Sequence, residues 1–575
     1  MTQAIHQNVP DSRGMNAFRA DPAFDALLSL YLPQDLRPVL QPQLDRMGAL
    51  VGDRLEQLAL RADKNPPTLS LRDRTGAPAE RIEKHPAYEE LERVAFGEFG
   101  LAAMSHRGGV FGVPDRLHPM AKYALVYLFV QAEFGLCCPL SMTDSLTRTL
   151  RKFGSDDLKA RYLQQLTSQD MDSLFQGAMF MTEQAAGSDV GAIETVARQQ
   201  NGEWRLYGDK WFCSNPDAAL AMVLARPEGG GAGTGGLSLF LLPRHLHDGS
   251  QNSYRILRLK DKMGTKSMAS GEIVLEGAVA YLVGQPGQGF KQMTDMINMS
   301  RLANGVRSAG LMRRSVAEAL FIARHRTAFG KLLIDMPLMR RQLAKMLVPA
   351  EQGRSMVFHT ARVLDAADRG DDAMARVLRI LTPLVKFRTC RDARKVAGDA
   401  MEVRGGCGYI EEWSDARVLR DAHLGSIWEG TSNIVALDVA RAARRENALE
   451  ALNDYLRHCL TQVAPDLATP IAAALDRAVS LMQVAAKADH VAETRRAASA
   501  LYHVASAVFL GWESAGLGQV DAAVAQDRAR LARMVLDHRL HAQDPLAPAQ
   551  AEPDWLADLL IRAGRDTDKQ PASAA

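Results

Sequence analysis

The spacing of hydrophobic and polar positions divides most of the chain into three stretches. From about residue 85 to 170, apolar residues recur at helical intervals, as Leu146 and Leu150 do. From about 176 to 283, short β-rich runs alternate with glycine and aspartate turns, which is typical of an antiparallel sheet. From about 287 to 562, helical spacing returns. This order predicts a mainly α protein with a central antiparallel β domain.

The two ends of the chain are less regular. Residues 1 to about 60 contain five prolines between short apolar pieces. Because proline disrupts helix interiors, we predict an irregular extension with about one helix there. Residues 570–575 are small or polar and are predicted to form a frayed tail.

Two local features bear on the predicted elements. A helix is expected to begin with Asp335 as its N-cap and Pro337 in its first turn, where proline is tolerated. The glycine-rich segment 229–236 lies between two predicted strands. It lacks the Lys-Ser/Thr of a phosphate-binding loop, so we interpret it as a strand connection.

Composition and charge exclude several classes of protein. Hydrophobic residues make up 47% of the chain and charged residues 24%, as in ordinary globular proteins. Lys and Arg total 69 against 67 Asp and Glu, so no bulk attraction to nucleic acid or membrane is expected, although a local patch stays open. We find neither a basic-then-apolar leader nor a run of about 18 apolar residues. We therefore expect no signal peptide, no membrane span and a cytoplasmic location.

Cysteine and histidine spacing predicts no metal site. The six cysteines contain no CxxC motif and are expected to be reduced thiols. His245 and His247 are separated by one residue in a polar stretch, which we interpret as a loop.

Two short segments carry residues suited to ligand binding. Met181 to Asp189 offers the hydroxyls of Thr182 and Ser188 and a tight Ala-Ala-Gly turn, which suit the rim of a heterocycle. An ordinary polar turn is the alternative. Arg326 precedes Phe329 by three residues, which suits a pyrophosphate and a stacked adenine. Equally, Arg326 fits a solvated arginine at a helix C-terminus.

A third segment runs from Gly405 to Asn433. Gly405 and Gly406 allow a ligand to approach the backbone closely. Glu429 lies between Trp428 and a glycine, and a carboxylate beside an indole in a partly dry pocket suits a general base. A lone glutamate is otherwise most simply a surface charge.

The three segments, in this order and at these separations, resemble the recurring motifs of the acyl-CoA dehydrogenases. Those motifs are Met-Thr-Glu…Gly-Ser-Asp, Arg-x-x-Phe-Gly, Gly-Gly-x-Gly-Tyr and Trp/Tyr-Glu-Gly-Thr. The resemblance covers about residues 85 to 445. Six further segments are similar to the bacterial adaptive-response AidB branch: Asn65–Pro67, His85–Tyr88, Lys210–Phe212, Leu259–Gly264, Pro337–Arg340 and Ala400–Val403.

The resemblance implies an architecture and its partners. It implies an N-terminal helical domain, a β-barrel-like domain and a C-terminal four-helix bundle, with an N-terminal extension and an extra C-terminal helical domain. The expected divisions are 1–60, 61–175, 176–285, 286–446 and 447–575, in that order. A homotetramer with FAD at subunit interfaces, an acyl-CoA substrate and electron-transfer flavoprotein as electron acceptor are expected.

The resemblance also assigns FAD contacts. The expected contact residues are Met181, Thr182, Ser188, Phe212, Ser214, Arg326, Phe329, Gly405, Gly406, Trp428, Thr431 and Asn433. Met181, Thr182 and Ser188 would contact the flavin ring and pyrophosphate, and Phe212 and Ser214 would lie against the ring. Arg326 and Phe329 would hold the pyrophosphate and adenine of a neighbouring subunit's FAD. Gly405 and Gly406 would pass near the adenosine.

Glu429 matches the usual position of the family's catalytic base. A subset of the family has its base on an earlier helix, where this chain has Ser300, and serine cannot serve as that base. Glu429 is therefore expected to remove the α-proton of an acyl thioester while hydride moves from the β-carbon to flavin N5. The backbone N–H of Glu429 and a ribityl hydroxyl would stabilise the thioester oxygen.

The chain departs from the family pattern at four positions. Pro337 and Glu402 stand where glutamines often contact the flavin. Trp211 and Trp428 are bulkier than usual and are expected to narrow the acyl pocket.

The AidB resemblance carries a second function, a DNA-associated flavoprotein of the alkylation damage response with little dehydrogenase turnover. Residues 451–575 contain 12 Lys and Arg against 15 Asp and Glu, a net charge of −3, which is a poor match to DNA phosphates. Residues 301–345 contain ten against two, a net charge of +8. We interpret that charge partly as solvated helix faces and partly as a partner for FAD and CoA phosphates. The acyl-thioester function is therefore favoured.

Overall fold

Helices dominate the structure, a computed structural model that describes residues 9–542, 544, 546–547 and 552–569. The helices and strands before the main sheet are α1 (Pro22–Tyr31), α2 (Arg37–Gly52), α3 (Arg54–Lys64), β1 (Thr68–Arg72), β2 (Pro78–Glu83), α4 (Pro86–Glu92), α5 (Pro119–Phe129), α6 (Cys137–Phe153) and α7 (Asp156–Leu166). The tail predicted at 570–575 lies outside the described residues.

The expectation of about one helix before residue 60 is wrong, because α1 and α2 both lie in that stretch and α3 begins there. Two of the five prolines lie at helix starts, where they do not break the helix. Pro22 opens α1 and Pro38 lies in the first turn of α2, where no backbone N–H is needed. Of the five prolines in this stretch, Pro42 is the one that lies inside a helix.

The central domain is a closed, barrel-like sheet. Its strands are β3 (Gly177–Phe180), β4 (Val196–Gln200), β5 (Glu203–Ser214), β6 (Leu220–Pro227), β7 (Ser238–Pro243), β8 (Tyr254–Leu259) and β9 (Ser270–Val283). The order is β3-β6-β4-β5-β9-β7, and β7 also pairs with β6, which closes the ring. β8 pairs with β9. The glycine-rich segment 229–236 connects β6 to β7, as predicted.

The sheet is not antiparallel throughout. β6 runs parallel to both β3 and β4, while the other pairings within this sheet are antiparallel. Sequence neighbours joined by short turns must be antiparallel. β3 and β6 are separated by the β4–β5 hairpin, so no short turn fixes their relative direction.

Six helices of the described chain, three of them more than 30 residues long, follow the sheet. They are α8 (Gly289–His325), α9 (Pro337–Asp368), α10 (Asp372–Arg404), α11 (Gly406–Tyr409), α12 (Asp415–Gly425) and α13 (Ser432–Arg445), with the short strands β10 (Thr327–Ala328) and β11 (Lys331–Leu332) after α8. The mainly α fold with a central β domain is confirmed. α9 begins at Pro337, but its N-cap is Met336 and not the predicted Asp335. Asp335 ends a separate single turn, so its side chain does not cap α9.

Two glycines bring α8 close to its neighbours. A Cβ at Gly305 would collide with Val385 of α10. A Cβ at Gly310 would collide with Val130 and come within 2.8 Å of the Tyr127 carbonyl oxygen at α5. Close helix approach of this kind places residues of α8 at the centre of the protein.

Five more helices follow: α14 (Ala448–Leu460), α15 (Pro465–Ala485), α16 (Thr494–Leu517), α17 (Ala522–Val535) and α18 (Trp555–Arg562). Their apolar side chains share one continuous core with α1, α9 and α10. A buried ionic network joins the same elements; its members are Asp21, Glu351, Arg354, Glu513 and Arg528. Arg354 lies 2.6 Å from Asp21 of the first helical region, and Arg528 lies 2.7 Å from Glu513.

The two ends of the described chain lie together. The backbone N–H of Asn16 donates to Thr567 Oγ1 at 3.0 Å. Arg565 Nε donates to the Arg19 carbonyl at 2.6 Å, and Lys569 Nζ donates to the Asp11 carbonyl at 2.8 Å. The first and last described segments therefore form one surface.

The cysteine and membrane predictions are also addressed by the structure. All six cysteines are free, and five of them are buried. Within the described ranges, none of the helices has both the length and the apolar character needed to cross a membrane.

Candidate active site

Glu429 lies in the turn between α12 and α13, in an unusual backbone conformation. Its φ is +49° and that of Gly430 is +99°. Left-handed φ is uncommon for a residue with a side chain and costs about 1–3 kcal/mol, so its surroundings must hold it. A Cβ on Gly430 would lie 3.2 Å from both Ile434 and Val435, so glycine suits this close approach.

The Glu429 carboxylate is held by two residues of α8. Ser300 Oγ donates to Oε1 at 2.7 Å, and Asn304 Nδ2 donates to Oε2. The two donors are four residues apart, which places them on one face of the helix. Sequence reasoning named Ser300 only as a position that cannot supply the base, and missed Asn304. Their i, i+4 spacing is the signal that was available.

Trp428 forms a wall beside the carboxylate. Its Nε1 donates to Asn304 Oδ1 at 2.7 Å, so Asn304 links the indole to the base. The indole also stacks on Phe134 with ring centroids 5.8 Å apart. The predicted neighbour of Glu429 is therefore fixed by one hydrogen bond and one ring contact.

Cationic groups hold the backbone of this turn. Arg301 Nε donates to the Glu429 carbonyl at 3.2 Å, and the same side chain pairs with Asp438 at 2.6 Å. Lys386 Nζ donates to the Gly430 carbonyl. Burial lowers the pKa of Lys386 to about 8, so this lysine titrates just above neutrality.

A second group of predicted residues lies at the edge of the sheet. The backbone N–H of Trp211 donates to the backbone carbonyl of Thr182 at 2.8 Å, which aligns the segment after β3 with the end of β5. Met181 and Thr182 are half-buried there, and Phe212 is 58% exposed. Ser188 lies on an exposed loop.

The carboxylate of Glu183, in the same segment, faces into the sheet. It lies 2.6 Å from Lys210 Nζ and accepts the Thr195 N–H at 3.2 Å. It therefore anchors the segment that carries Thr182 and is not a ligand contact. A buried ion pair of this kind is held by its hydrogen bonds.

The sheet-edge group and the base are connected through α6. Burial raises the pKa of Cys138 to about 11. Its thiol lies beside the Ser214 hydroxyl and within electrostatic range of Arg307 and Glu429. Ser214 and Glu429 therefore belong to one region of the structure.

A third group lies far from Glu429. Arg326 Nη1 donates to the Arg404 carbonyl at 3.1 Å, which places it beside Gly405. Phe329 is 97% exposed with a φ of +51°. Ser300 and Arg326 are separated by 26 residues of α8 and its cap, or about 39 Å at 1.5 Å per residue. The structure does not bring Arg326, Phe329, Gly405 and Gly406 to the base of the same chain.

The predicted residues after Glu429 lie beside a positive region. Thr431 and Asn433 are exposed at the start of α13. Arg391 Nη1 lies 3.3 Å from Ser432 Oγ, and Arg495 of α16 donates to Asn433 Oδ1 at 3.3 Å. A helix N-terminus with two nearby arginines favours an anionic group.

Half of the ten basic residues in 301–345 form ion pairs within the protein. These five arginines pair with acidic residues of other elements: Arg301 with Asp438, Arg313 with Asp21, Arg314 with Glu56, Arg324 with Asp566 and Arg340 with Glu552. The interpretation as solvated helix faces is therefore wrong for these five. Their charge is not available to phosphates.

Three segments of the chain match known protein families. Residues 7–173 match the adaptive response protein AidB N-terminal domain, 178–278 match the acyl-CoA dehydrogenase middle domain, and 287–444 match the acyl-CoA dehydrogenase C-terminal domain. Acyl-CoA dehydrogenase family member 11 of Caenorhabditis elegans is 30% identical over 96% of this chain and 91% of its own length. The chain belongs to the acyl-CoA dehydrogenase family.

One further relative and one solved structure place the chain within this family. The putative acyl-CoA dehydrogenase AidB of Escherichia coli is 35% identical over 68% of this chain and 71% of its own length. The structure of C. elegans ACDH-11 in complex with C11-CoA aligns with a TM-score of 0.86 and 28% identity, over 94% of this chain and 93% of that one. The protein is an acyl-CoA dehydrogenase-type oxidoreductase acting on CH–CH bonds, related to AidB.

FAD is the cofactor of this family, and the residues present fit it. Phe212 and Phe329 are exposed aromatic rings suited to cover a flat heterocycle. A Cβ on Gly406 would meet no atom within 4 Å, and one on Gly405 would meet only Arg326, at 3.8 Å. The backbone there is therefore open to a ligand, with a guanidinium beside it.

Proposed function

We propose that the protein dehydrogenates an acyl-CoA thioester between its α- and β-carbons, with Glu429 as the base. Glu429 takes the α-proton, and a carbon–carbon double bond forms as hydride leaves the β-carbon. Bound FAD supplies the acceptor for that hydride. The observation that carries the proposal is the Glu429 carboxylate held by Ser300 and Asn304. Supporting it, a relative of similar fold is in complex with an acyl-CoA.

Each residue around Glu429 has a distinct task. Ser300 and Asn304 orient the two carboxylate oxygens, so the proton acceptor does not rotate away. Trp428 and Phe134 exclude water from one side of the pocket. The backbone N–H of Glu429, in this left-handed turn, serves as a donor to the thioester oxygen.

The proposal is tested by anaerobic titration of the FAD-loaded protein with acyl-CoAs of different chain length. Stoichiometric bleaching of the flavin absorbance by one class is expected. Glu429→Gln is expected to retain FAD and lower the bleaching rate by several orders of magnitude, because the amide cannot accept the proton. Near-wild-type bleaching by this variant would remove Glu429 from the mechanism.

We also propose that FAD is shared between subunits of a homotetramer. Arg326, Phe329, Gly405 and Gly406 lie about 39 Å along α8 from the residues that hold the base. Because this exceeds the length of an FAD molecule, the second group serves the FAD of a neighbouring chain. Arg326→Ala is expected to lower FAD content without changing Glu429, and light scattering should give the mass of four chains. A monomer that binds FAD normally would contradict this arrangement.

Electron-transfer flavoprotein is the proposed acceptor of the electrons from reduced FAD. Transfer from substrate-reduced protein to purified electron-transfer flavoprotein is the direct measurement. Reoxidation by oxygen alone, with no response to that flavoprotein, would argue for an oxidase instead.

A DNA-associated function with little turnover stays as the second candidate, favoured by the AidB N-terminal match at residues 7–173. The internal pairing of the basic stretch 301–345 weakens the electrostatic case for it. If no thioester bleaches the flavin while FAD stays bound, DNA binding should be measured across a range of salt concentrations. Binding to phosphates falls steeply with salt, so a flat response would reject this function.

A further inference from the structure

Arg307 of α8 is fully buried, and its two terminal nitrogens have no hydrogen-bond partner among the described residues. Its Nε donates to the Ala303 carbonyl of its own helix at 3.3 Å. A buried guanidinium is normally paired, because removing a charge from water is costly. Arg307 therefore has unused hydrogen-bond donors inside the protein.

The neighbouring arginines show that this is specific to Arg307. Arg301 and Arg313 of the same helix are also buried, and they pair with Asp438 at 2.6 Å and Asp21 at 3.0 Å. The buried Arg354 and Arg528 likewise face carboxylates. These four buried arginines thus each face a carboxylate, whereas Arg307 faces none in the part of the chain that the structure describes.

Arg307 lies on the face of α8 that holds the base. It is three residues after Asn304 and seven after Ser300, the spacing that keeps side chains on one helical face. Its guanidinium carbon lies 4.8 Å from the ring centre of Trp428 and 5.7 Å from that of Phe134. These rings balance part of its charge but leave its N–H groups without acceptors.

The helix face is sealed one turn beyond Arg307. A Cβ on Gly310 would collide with Val130 and lie 2.8 Å from the Tyr127 carbonyl oxygen. An acyl chain directed along this face past Glu429 and Asn304 would meet the guanidinium first, and the close packing at Gly310 next.

We propose that Arg307 binds the distal carboxylate of a short dicarboxylic acyl thioester. This inference rests on the proposed function and names its substrate class. A carboxylate accepts two parallel hydrogen bonds from a guanidinium, which matches the two unpartnered nitrogens. A short apolar acyl chain would leave those donors unsatisfied, and a long one would have to displace them. Arg307 is thus a specificity-determining residue, while Glu429 carries the chemistry.

The test compares two thioesters with the same number of carbons, glutaryl-CoA and pentanoyl-CoA. Their affinities are measured by calorimetry with FAD-loaded Glu429→Gln, so that binding is seen without turnover. Glutaryl-CoA is expected to bind roughly 10- to 100-fold more tightly, the range for hydrogen bonds to a charged group. Equal affinity, or tighter binding of pentanoyl-CoA, overturns the proposal.

Two substitutions, each in the Glu429→Gln background, assign the preference to its residue. Arg307→Met keeps the length and removes the charge, so the preference for glutaryl-CoA should disappear while pentanoyl-CoA binds at least as well. Arg307→Lys keeps the charge but cannot donate two parallel hydrogen bonds, so it should retain part of the preference for glutaryl-CoA. A preference that survives Arg307→Met overturns the proposal. If Arg307→Met does not fold, the two affinities measured on the Glu429→Gln protein with Arg307 intact still decide whether the proposal holds.

Failure of this inference is distinguishable from failure of the proposed function. If pentanoyl-CoA bleaches the flavin of the wild-type protein and glutaryl-CoA binds no more tightly, only the role of Arg307 is wrong. If neither bleaches it, the dehydrogenase function is in question, and the affinity ratio still reports on Arg307.

Discussion

At the scale of single residues, Asn304 of α8 connects the base to the wall of the pocket. Its amide nitrogen donates to Glu429 and its amide oxygen accepts from Trp428. One side chain therefore sets both the direction of the base and the position of the pocket wall. Neither partner can reorient without breaking a hydrogen bond to Asn304.

Asn304→Leu has a similar volume but can form neither bond. We expect flavin reduction by acyl-CoA to slow by roughly 10- to 100-fold, because one hydrogen bond to a charged group is lost. FAD content should be largely retained, because Trp428 is the one expected FAD contact that bonds to Asn304. Rapid-mixing absorbance gives the reduction rate, and an unchanged rate would mean that Ser300 alone orients the carboxylate.

Lys386 predicts a pH dependence of stability. Burial lowers its pKa from the ordinary 10.5 to about 8. Between these values the unfolded chain holds more protons than the folded one, so the free energy of unfolding rises with pH. The gain is on the order of 3 kcal/mol between pH 8 and 10.5, and the full cost is present below pH 8.

Lys386→Met should flatten this rise, measured by denaturant unfolding across the same pH range. Lys395→Met is the control, because Lys395 is exposed on the same helix. If the two variants show the same slope as the unsubstituted protein, Lys386 is not the titrating group.

The residues of the site differ in how far sequence could predict them. Glu429 and Trp428 lie in a compact motif whose chemistry is visible from adjacent letters. Asn304 lies 125 positions before Glu429, so its role depends on which face of α8 meets that turn. The role of Arg307 depends also on its burial. Nothing in the sequence distinguishes a buried arginine without a partner from the other arginines of the basic stretch.

At the scale of elements, α8 depends on the absence of side chains at its helix crossings. Gly305 and Gly310 allow contact with α10 and α5 that alanine would block. Glycine weakens a helix by roughly 0.5–1 kcal/mol relative to alanine, so its use here indicates a packing requirement.

Gly310→Ala is therefore expected to destabilise the protein by about 1–3 kcal/mol despite better helix propensity, because the methyl group meets a backbone carbonyl. Thermal unfolding gives the comparison. Gly398→Ala in α10 is the matched control, since its nearest atom is Leu419 Cδ1 at 3.9 Å. That change should be neutral or stabilising. A loss at Gly398 equal to that at Gly310 would show that packing is not the cause.

Elements were predictable where periodicity alone decides them. The strand runs and long helices follow directly from the spacing of apolar residues. The helices before residue 60 were missed because proline has opposite meanings at a helix start and in its interior. Which meaning applies depends on where the helix begins, and local pattern does not fix that point.

At the scale of the whole molecule, a buried ionic network joins regions that are distant in sequence. Asp21 and Arg354 are 333 positions apart. Arg354 also pairs with Glu351, which in turn pairs with Arg528 of α17. No local pattern of residues indicates such pairings. The sequence therefore could not predict that the first and last helices pack against the central helices.

Arg354→Met would leave Asp21 and Glu351 buried with less compensation. Breaking a buried pair typically costs about 3–5 kcal/mol, and we expect a fall in thermal stability of that order. Arg457→Met is the control, because its pair with Asp476 is exposed and worth at most about 1 kcal/mol. Equal losses in the two variants would show that the network is not a principal source of stability.

The contact between residues 11–19 and 565–569 has a consequence for how this chain is made. A ribosome adds roughly 5–20 residues per second, so about half a minute or more separates the synthesis of the two segments. During that interval the apolar faces of α1, with Phe24 and Leu27, have been made but the helices α16 to α18 have not. The part of α1 that contacts α16 and α17 therefore lacks its partners for most of the synthesis. That part of the surface can be buried only after these late helices have left the ribosome.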